Sequence, residues 1–518
     1  MSLRNFSRKI STERNYFILS MVITAALISI TSFLTKSFWG DEICSYLAAL
    51  SPGHEFFAML RNDFHPPLYF FLLKIWTIGF GVSEAAARAF QFVNAVFFLY
   101  SAFILYTTLL KGQGARIAFI LLSVSAEAWL FLPMLRYYAF AAGLVSLTTV
   151  MFYRWMESDT IKSSGLLLLG YICILYSNYP ASIIIPVHFA FLLFFKRSKT
   201  VSYLKIIALC FLSFTPWVVT LYYQLDRISS GSFGSIADFN SSPFSVVLKF
   251  FYCCYTFFIP ETVFPFEPIV LLGIIIIPVS LFLTFRNLFR QQESRILSLI
   301  LFIIISGILY TSLITTFVTH HTSFIYIPPR TFFVFPFFIL LITMIGIALP
   351  IKWLRICYFG YFFCLNFYAI YNLGANRNFL VPVYASPWKE MTASLTRSNA
   401  MVISDEKLTF DFYRKYLSKG LPSIDGNDSA LVANSLAVLK PNIVYLIISG
   451  RESTNSDISP KVISLIENSG TLVENTKYLK IDNYYRAIKS KLTKRDSYDA
   501  KFVILAYQMN YPVMNKKL

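Results

Sequence analysis

A few ionisable residues stand out against an apolar background. Asp41 and Glu42 are adjacent carboxylates in "WGDEICSYLAAL", directly after a long apolar run. Such a carboxylate, within hydrogen-bond reach of a hydroxyl, can take its proton as the oxygen attacks. From Asp41 onward the apolar residues Ile43, Tyr46, Leu47 and Leu50 recur at helical spacing, so the pair opens an amphipathic helix. The plainer reading is a pair of helix-start charges complementing the dipole, worth under about 1 kcal/mol. His65 precedes Pro66-Pro67, and proline suits a first helical turn. Leu68, Phe71, Leu72, Ile75 and Trp76 then form one apolar face. Arg136 and Tyr137 sit in "RYYAF", Arg330 follows "IPP", and His320 and His321 lie just before it. An arginine there suits a phosphate monoester through two parallel hydrogen bonds, or it snorkels to lipid headgroups. Glu127 lies inside an apolar run, where a carboxylate is a functional candidate. A pair with Arg136 would explain it equally well.

These residues must be positioned by membrane elements. Of 518 residues, 56% are hydrophobic and only 14% charged, against about 25% in ordinary soluble domains. Mean hydropathy is +0.60. That composition excludes a purely soluble enzyme, a disordered chain and a coiled coil, and requires a polytopic α-helical membrane protein. The net charge of +18 is topological and implies no nucleic-acid partner. None of the seven cysteines falls after residue 364, which excludes a disulfide framework or cysteine zinc site in the last third.

Eleven apolar runs read as spans: 16–36, 88–110, 117–134, 137–156, 164–178, 180–196, 203–223, 268–285, 296–318, 331–350 and 353–373. No small-residue cleavage site follows the first, so it reads as an anchor. With the N-terminus in the cytoplasm, 17 of the 25 Lys and Arg before residue 374 fall inside, as the positive-inside rule requires. Most carboxylates fall outside. Two more runs, 66–80 and 244–260, read as helices on or dipping into the outer interface. Charged residues rise from about 10% before Gly374 to about 23% after it. The expected division is therefore a membrane domain, 1–373, with a long outer loop at 37–87, and an extracytoplasmic domain, 374–518. The second reads as a small α/β domain, with strands at "NAMVISD", "NIVYLIISG" and "FVILAYQM" and helices between them. "SGRES" after a strand reads as a solvated turn, with anion binding the alternative. No internal repeat is evident.

Taken in order, "DEICSYLAAL", "HPPLYFFLLKIW", "GVSEAAARAFQFVNAV", "RYYAF" and "PPRTFFVFPFFILL" resemble the bacterial protein O-mannosyltransferase and lipid A aminoarabinose transferase family, GT-C type integral-membrane glycosyltransferases. The resemblance covers residues 38–350. It implies a sugar donor linked to polyprenyl monophosphate (undecaprenyl or dolichyl phosphate) and an acidic base in the first outer loop, matched by Asp41, with Glu42 second. His65 falls where the aminoarabinose transferases carry a lysine on the lipid phosphate. Arg330 matches a basic residue at the outer start of a late span. No residue matches as a metal ligand, so a divalent metal requirement stays open.

The expected activity is transfer of a sugar to an acceptor hydroxyl on lipid, glycan or protein at the outer face of the cytoplasmic membrane. Asp41 takes the proton, and His65, Arg136 and Arg330 hold the leaving phosphate. The rival class is a transporter or flippase for a lipid-linked or anionic substrate. It predicts charges at the midplane of broken helices, whereas here they cluster at one surface.

Overall fold

A computed structural model of the chain describes residues 3–62, 64–110, 112–158, 160–229, 241–290, 294–320, 326–375, 384, 386–417, 421–450, 458–478, 491 and 501–510. His321 lies outside them, as do Asp63, Lys111, Asp238 and the Arg-Glu-Ser of "SGRES". The chain packs as two units. One holds residues 1–32 and 45–371, the other 33–44 and 372–518.

The first unit is helical. Its helices are α1 (Leu3–Thr35), α2 (Gly40–Leu50), α3 (Gly53–Asn62), α4 (Leu68–Phe80), α5 (Glu84–Leu109), α6 (Gln113–Ser123), α7 (Ala126–Phe131), α8 (Tyr138–Glu157) and α9 (Ile161–Leu175). α10 (Ile184–Phe195), α11 (Thr200–Ser229), α12 (Pro243–Phe258), α13 (Pro268–Arg290), α14 (Ser294–Leu313), α15 (Ile327–Thr331), α16 (Phe335–Ala348) and α17 (Lys352–Gly374) follow. Helices α1, α2 and α17 each have residues in both units. Among the described residues six segments are long and apolar enough to cross a membrane: Phe17–Thr35, Glu84–Leu109, Arg197–Ile228, Ser294–Val318, Ile327–Ala348 and Lys352–Gly374. The other five expected runs are also helical, three of them in shorter or broken pieces. The run at 117–134 splits into α6 and α7 at Val124-Ser125, 164–178 forms the 15-residue α9, and 137–156 forms the 20-residue α8. The interfacial runs become α4, with 13 residues, and α12, with 16, both too short to span comfortably.

Small residues let these helices close on one another. α8 packs between α5 and α9. A Cβ at Gly143 would lie 2.7 Å from the Phe97 ring, and one at Gly170 would lie 2.6 Å from Thr148 Oγ1. Close backbone approach at glycine drives association where lipid supplies no hydrophobic force. Outward residues such as Phe282 and Val219, 82% and 63% exposed, are apolar, as a lipid-facing surface requires.

In the second unit, β1 (Ala400–Ser404), β2 (Ser423–Asp425), β3 (Ile443–Gly450), β4 (Gly470–Lys477) and β5 (Lys501–Met509) form one sheet in the order β2-β1-β3-β5-β4. The first three are parallel, while β5 runs antiparallel to both β3 and β4. Helices α18 (Trp388–Ala393), α19 (Lys407–Leu417), α20 (Ser429–Leu439) and α21 (Pro460–Ser469) cover it. Met401, Ile403, Val444 and Leu446 meet Val432, Val462 and Ile466 in the core. All three expected strands form. The sequence reading missed β2, only three residues long, and β4, whose exposed "GTLVENTK" shows no buried alternation.

Candidate active site

The link between α7 and α8, residues 132–137, is buried although it is not helical throughout, so its carbonyls need donors. α5 supplies them. Gln91 Nε2 donates to the carbonyls of Leu132 and Arg136, both at 3.3 Å, and to that of Met134. Gln91 Oε1 accepts from Tyr69 Oη at 3.0 Å and Asn94 Nδ2 at 3.1 Å. One turn earlier, Arg88 donates to Pro133 O at 3.0 Å and lies 3.6 Å from Glu84. This buried network fixes the backbone that carries Arg136.

Arg136 is buried. One terminal nitrogen donates to Ser45 Oγ on α2 at 2.9 Å, and the other meets His65 Nε2 at 2.8 Å. A guanidinium can only donate, so Nε2 is the acceptor and the imidazole proton sits on Nδ1. His65 therefore orients Arg136 in this arrangement. Its ring stacks 5.8 Å from Phe70 and lies 5.0 Å from Tyr137. Its backbone is held from α11, where Gln224 Nε2 donates to Leu60 O at 2.8 Å and His65 O at 3.3 Å. Tyr179 Oη donates to Gln224 Oε1 at 2.8 Å and accepts from Trp217 Nε1 at 2.7 Å.

A pair of cations forms where α12, α14 and α15 meet. Lys249 is buried on α12, and its ammonium donates to Thr315 Oγ1 at 3.0 Å and Thr316 Oγ1 at 2.8 Å. Those threonines lie on a π-helical turn, Ile314–Val318, that ends α14. Such turns re-aim side chains and recur at functional sites. Burial, then the neighbouring Arg330 guanidinium, pushes the Lys249 ammonium down to about 7. Arg330 is half-buried on α15. The structure thus pairs His65 with Arg136 and sets Arg330 near Lys249. His320 is exposed, with φ at 51°, and its Nδ1 lies 3.5 Å from Ser241 Oγ.

The carboxylates occupy different settings. Asp41 and Glu42 stand in the first turn of α2. Glu42 is buried and its Oε2 accepts the Trp39 N–H at 3.2 Å, a helix-capping contact. Asp41 is half-buried, one turn before Ser45 on the same helix. Glu127 is fully buried and makes no ion pair with Arg136. Its Oε1 accepts the Glu261 backbone N–H at 2.8 Å. Burial, then Glu127, holds the Glu261 carboxyl well above the usual range. Among the described residues no group of three or more His, Cys, Asp and Glu is placed to hold a metal.

Sequence reasoning missed Lys249, Gln91 and Gln224. Lys249 had a signal, as the single charge in the run 244–260. The two glutamines had none, because uncharged amides in apolar helices do not announce their partners.

No family model matches the chain, and no curated protein matches it in sequence. Among the solved structures similar to it is ArnT from Cupriavidus metallidurans, crystallised with undecaprenyl phosphate. It shares 10% identity over 94% of this chain and 97% of its own, with a TM-score of 0.48. An Archaeoglobus fulgidus oligosaccharyltransferase, tethered to an acceptor peptide containing the NVT sequon, shares 13% over 83% and 69%, at 0.46. The oligosaccharyltransferase AglB of Archaeoglobus fulgidus, in complex with an inhibitory peptide and a dolichol-phosphate, shares 11% over 96% and 89%, at 0.45.

Proposed function

We propose that the chain is a membrane glycosyltransferase that moves a sugar from a polyprenyl-phosphate donor to an acceptor hydroxyl at the outer face of the cytoplasmic membrane. The observation that carries this reading is the buried Arg136, aimed by His65 and Ser45 and backed by the α5 network. A buried guanidinium costs several kcal/mol in desolvation, and a phosphate leaving group is the kind of anion that uses it. Its charge grows as the glycosidic bond breaks, so preorganised cations stabilise the transition state more than the ground state. Lys249 and Arg330 form the second cationic set, close to the end of α14. Asp41 serves as the base. It accepts the proton of the attacking hydroxyl, and the single displacement inverts the anomeric carbon. Glu42, already engaged with the Trp39 N–H, holds the start of the helix.

The test is donor affinity in lipid nanodiscs, with undecaprenyl phosphate as the probe. Arg136→Ala should weaken binding by about 2–5 kcal/mol, the cost of cutting one partner from a buried charged pair. Arg136→Lys should recover only part, because an ammonium cannot reach Ser45, His65 and phosphate in one plane. Wild-type affinity in Arg136→Ala removes the residue from the site.

A further inference from the structure

The segment that carries Asp41 belongs to the C-terminal unit. Residues 33–44 pack with 372–518, although more than 300 residues of chain separate them. The contacts follow the segment almost residue by residue. Lys389 Nζ donates to Phe33 O at 2.9 Å and Lys36 O at 3.2 Å, which caps the C-terminal carbonyls of α1. The Lys389 backbone N–H donates to Ser37 Oγ at 3.0 Å. The Phe38 N–H donates to Tyr413 Oη at 2.5 Å, and the Phe38 ring lies 5.9 Å from that of Phe412. Trp39 meets Tyr384 edge-on at 5.2 Å. A Cβ at Gly40 would lie 3.7 Å from Glu406 Oε2, so the residue just before α19 reaches the one next to Asp41. Ser37, Phe38, Trp39, Tyr384 and Tyr413 are all buried.

A flexible link between α1 and α2 would need none of this. Four backbone groups at each helix end lack an intrahelical partner and are met by side chains, water or a tightened last turn. Here the link is ordered by α18 and α19 of the C-terminal unit. We propose that the C-terminal domain is the mount of the catalytic segment, with Lys389 and Tyr413 as positioning residues that set where Asp41 points. The inference rests on Asp41 being the base. Its physical content is orientation, since a misplacement of about 1 Å at a reacting group can cost on the order of 100-fold in rate.

Two measurements on the full-length protein test it. Hydrogen exchange over residues 33–44 needs no substrate. In Tyr413→Phe the Phe38 amide loses its acceptor and should exchange about tenfold faster. Lys389→Met should loosen 33–37, Lys389→Arg should restore protection, and β1 and β3 should keep wild-type exchange throughout. The second measurement is turnover with mannosyl-, glucosyl- and aminoarabinosyl-undecaprenyl phosphate as probes. Tyr413→Phe should lower kcat about tenfold with donor KM unchanged, and should add no further loss in an Asp41→Asn background. Wild-type exchange over 33–44 in both Tyr413→Phe and Lys389→Met overturns the mount. So does a Tyr413→Phe loss that multiplies with that of Asp41→Asn. A fully active Asp41→Asn rejects the base assignment instead, while the exchange result still decides the mount.

Discussion

At the residue scale the informative feature is the company each charge keeps. Arg136 has an imidazole and a hydroxyl to aim it, whereas Lys249 has two threonine hydroxyls and a second cation beside it. Burial, and then the neighbouring Arg330 guanidinium, bring the Lys249 ammonium down to about 7, which gives the site a pH signature. Lys249 is the group on which that signature rests. Below about pH 7 the ammonium is present and attracts an anion; as pH rises through 7 it is lost. Affinity for undecaprenyl phosphate should therefore fall between pH 6.5 and 8.5, and the slope should flatten in Lys249→Met. An equally steep profile in Lys249→Met would take Lys249 out of anion binding. The sequence showed Asp41, His65, Arg136 and Arg330 as isolated candidates. It could not show that His65 serves Arg136, because 71 residues separate them and the pairing is made by folding alone.

At the element scale, α5 is the ruler against which the site is built. Its Arg88, Gln91 and Asn94 fall on one helical face, and that face supplies donors to the link carrying Arg136. Gln91→Leu removes the amide and leaves three buried carbonyls short of a donor, each costing about 1–3 kcal/mol if unrelieved. The variant should bind undecaprenyl phosphate at least tenfold more weakly and melt several degrees lower, as read by ligand titration and a thermal scan. Unchanged affinity alongside a lowered Tm would make Gln91 a stability residue only. Helix existence was legible here because apolar runs are long and continuous. Helix breaks were not: the split of 117–134 at Val124-Ser125 lies in a run with no proline or glycine at the break. The shortfall in span length has the same origin. Composition reports that a segment is apolar, but whether it spans, dips or breaks depends on its neighbours.

At the scale of the whole molecule the composition shift near Gly374 lies close to where the second unit begins, at Asn372. The inclusion of 33–44 in that unit left no trace in the sequence, since a segment's partner across the chain has no local signature. The 17:8 distribution of basic residues also makes a topological prediction. A reporter active only outside the cytoplasm, fused after Leu518, should be active. Activity from a cytoplasmic reporter at that position, with silence from the first, would mean that the number of crossings is even, where eleven are expected.

The central claim is chemical and one measurement meets it directly. Full-length protein in nanodiscs is given mannosyl-, glucosyl- and aminoarabinosyl-undecaprenyl phosphate with a membrane extract as acceptor source, and sugar transfer and free undecaprenyl phosphate are followed by mass spectrometry. The account predicts transfer from at least one donor, stoichiometric release of undecaprenyl phosphate, and a loss of about 10²–10⁴-fold in Asp41→Asn with donor binding retained. Movement of intact lipid-linked sugar across the bilayer with no release of undecaprenyl phosphate, unaffected by Asp41→Asn, would contradict it and make the chain a transporter.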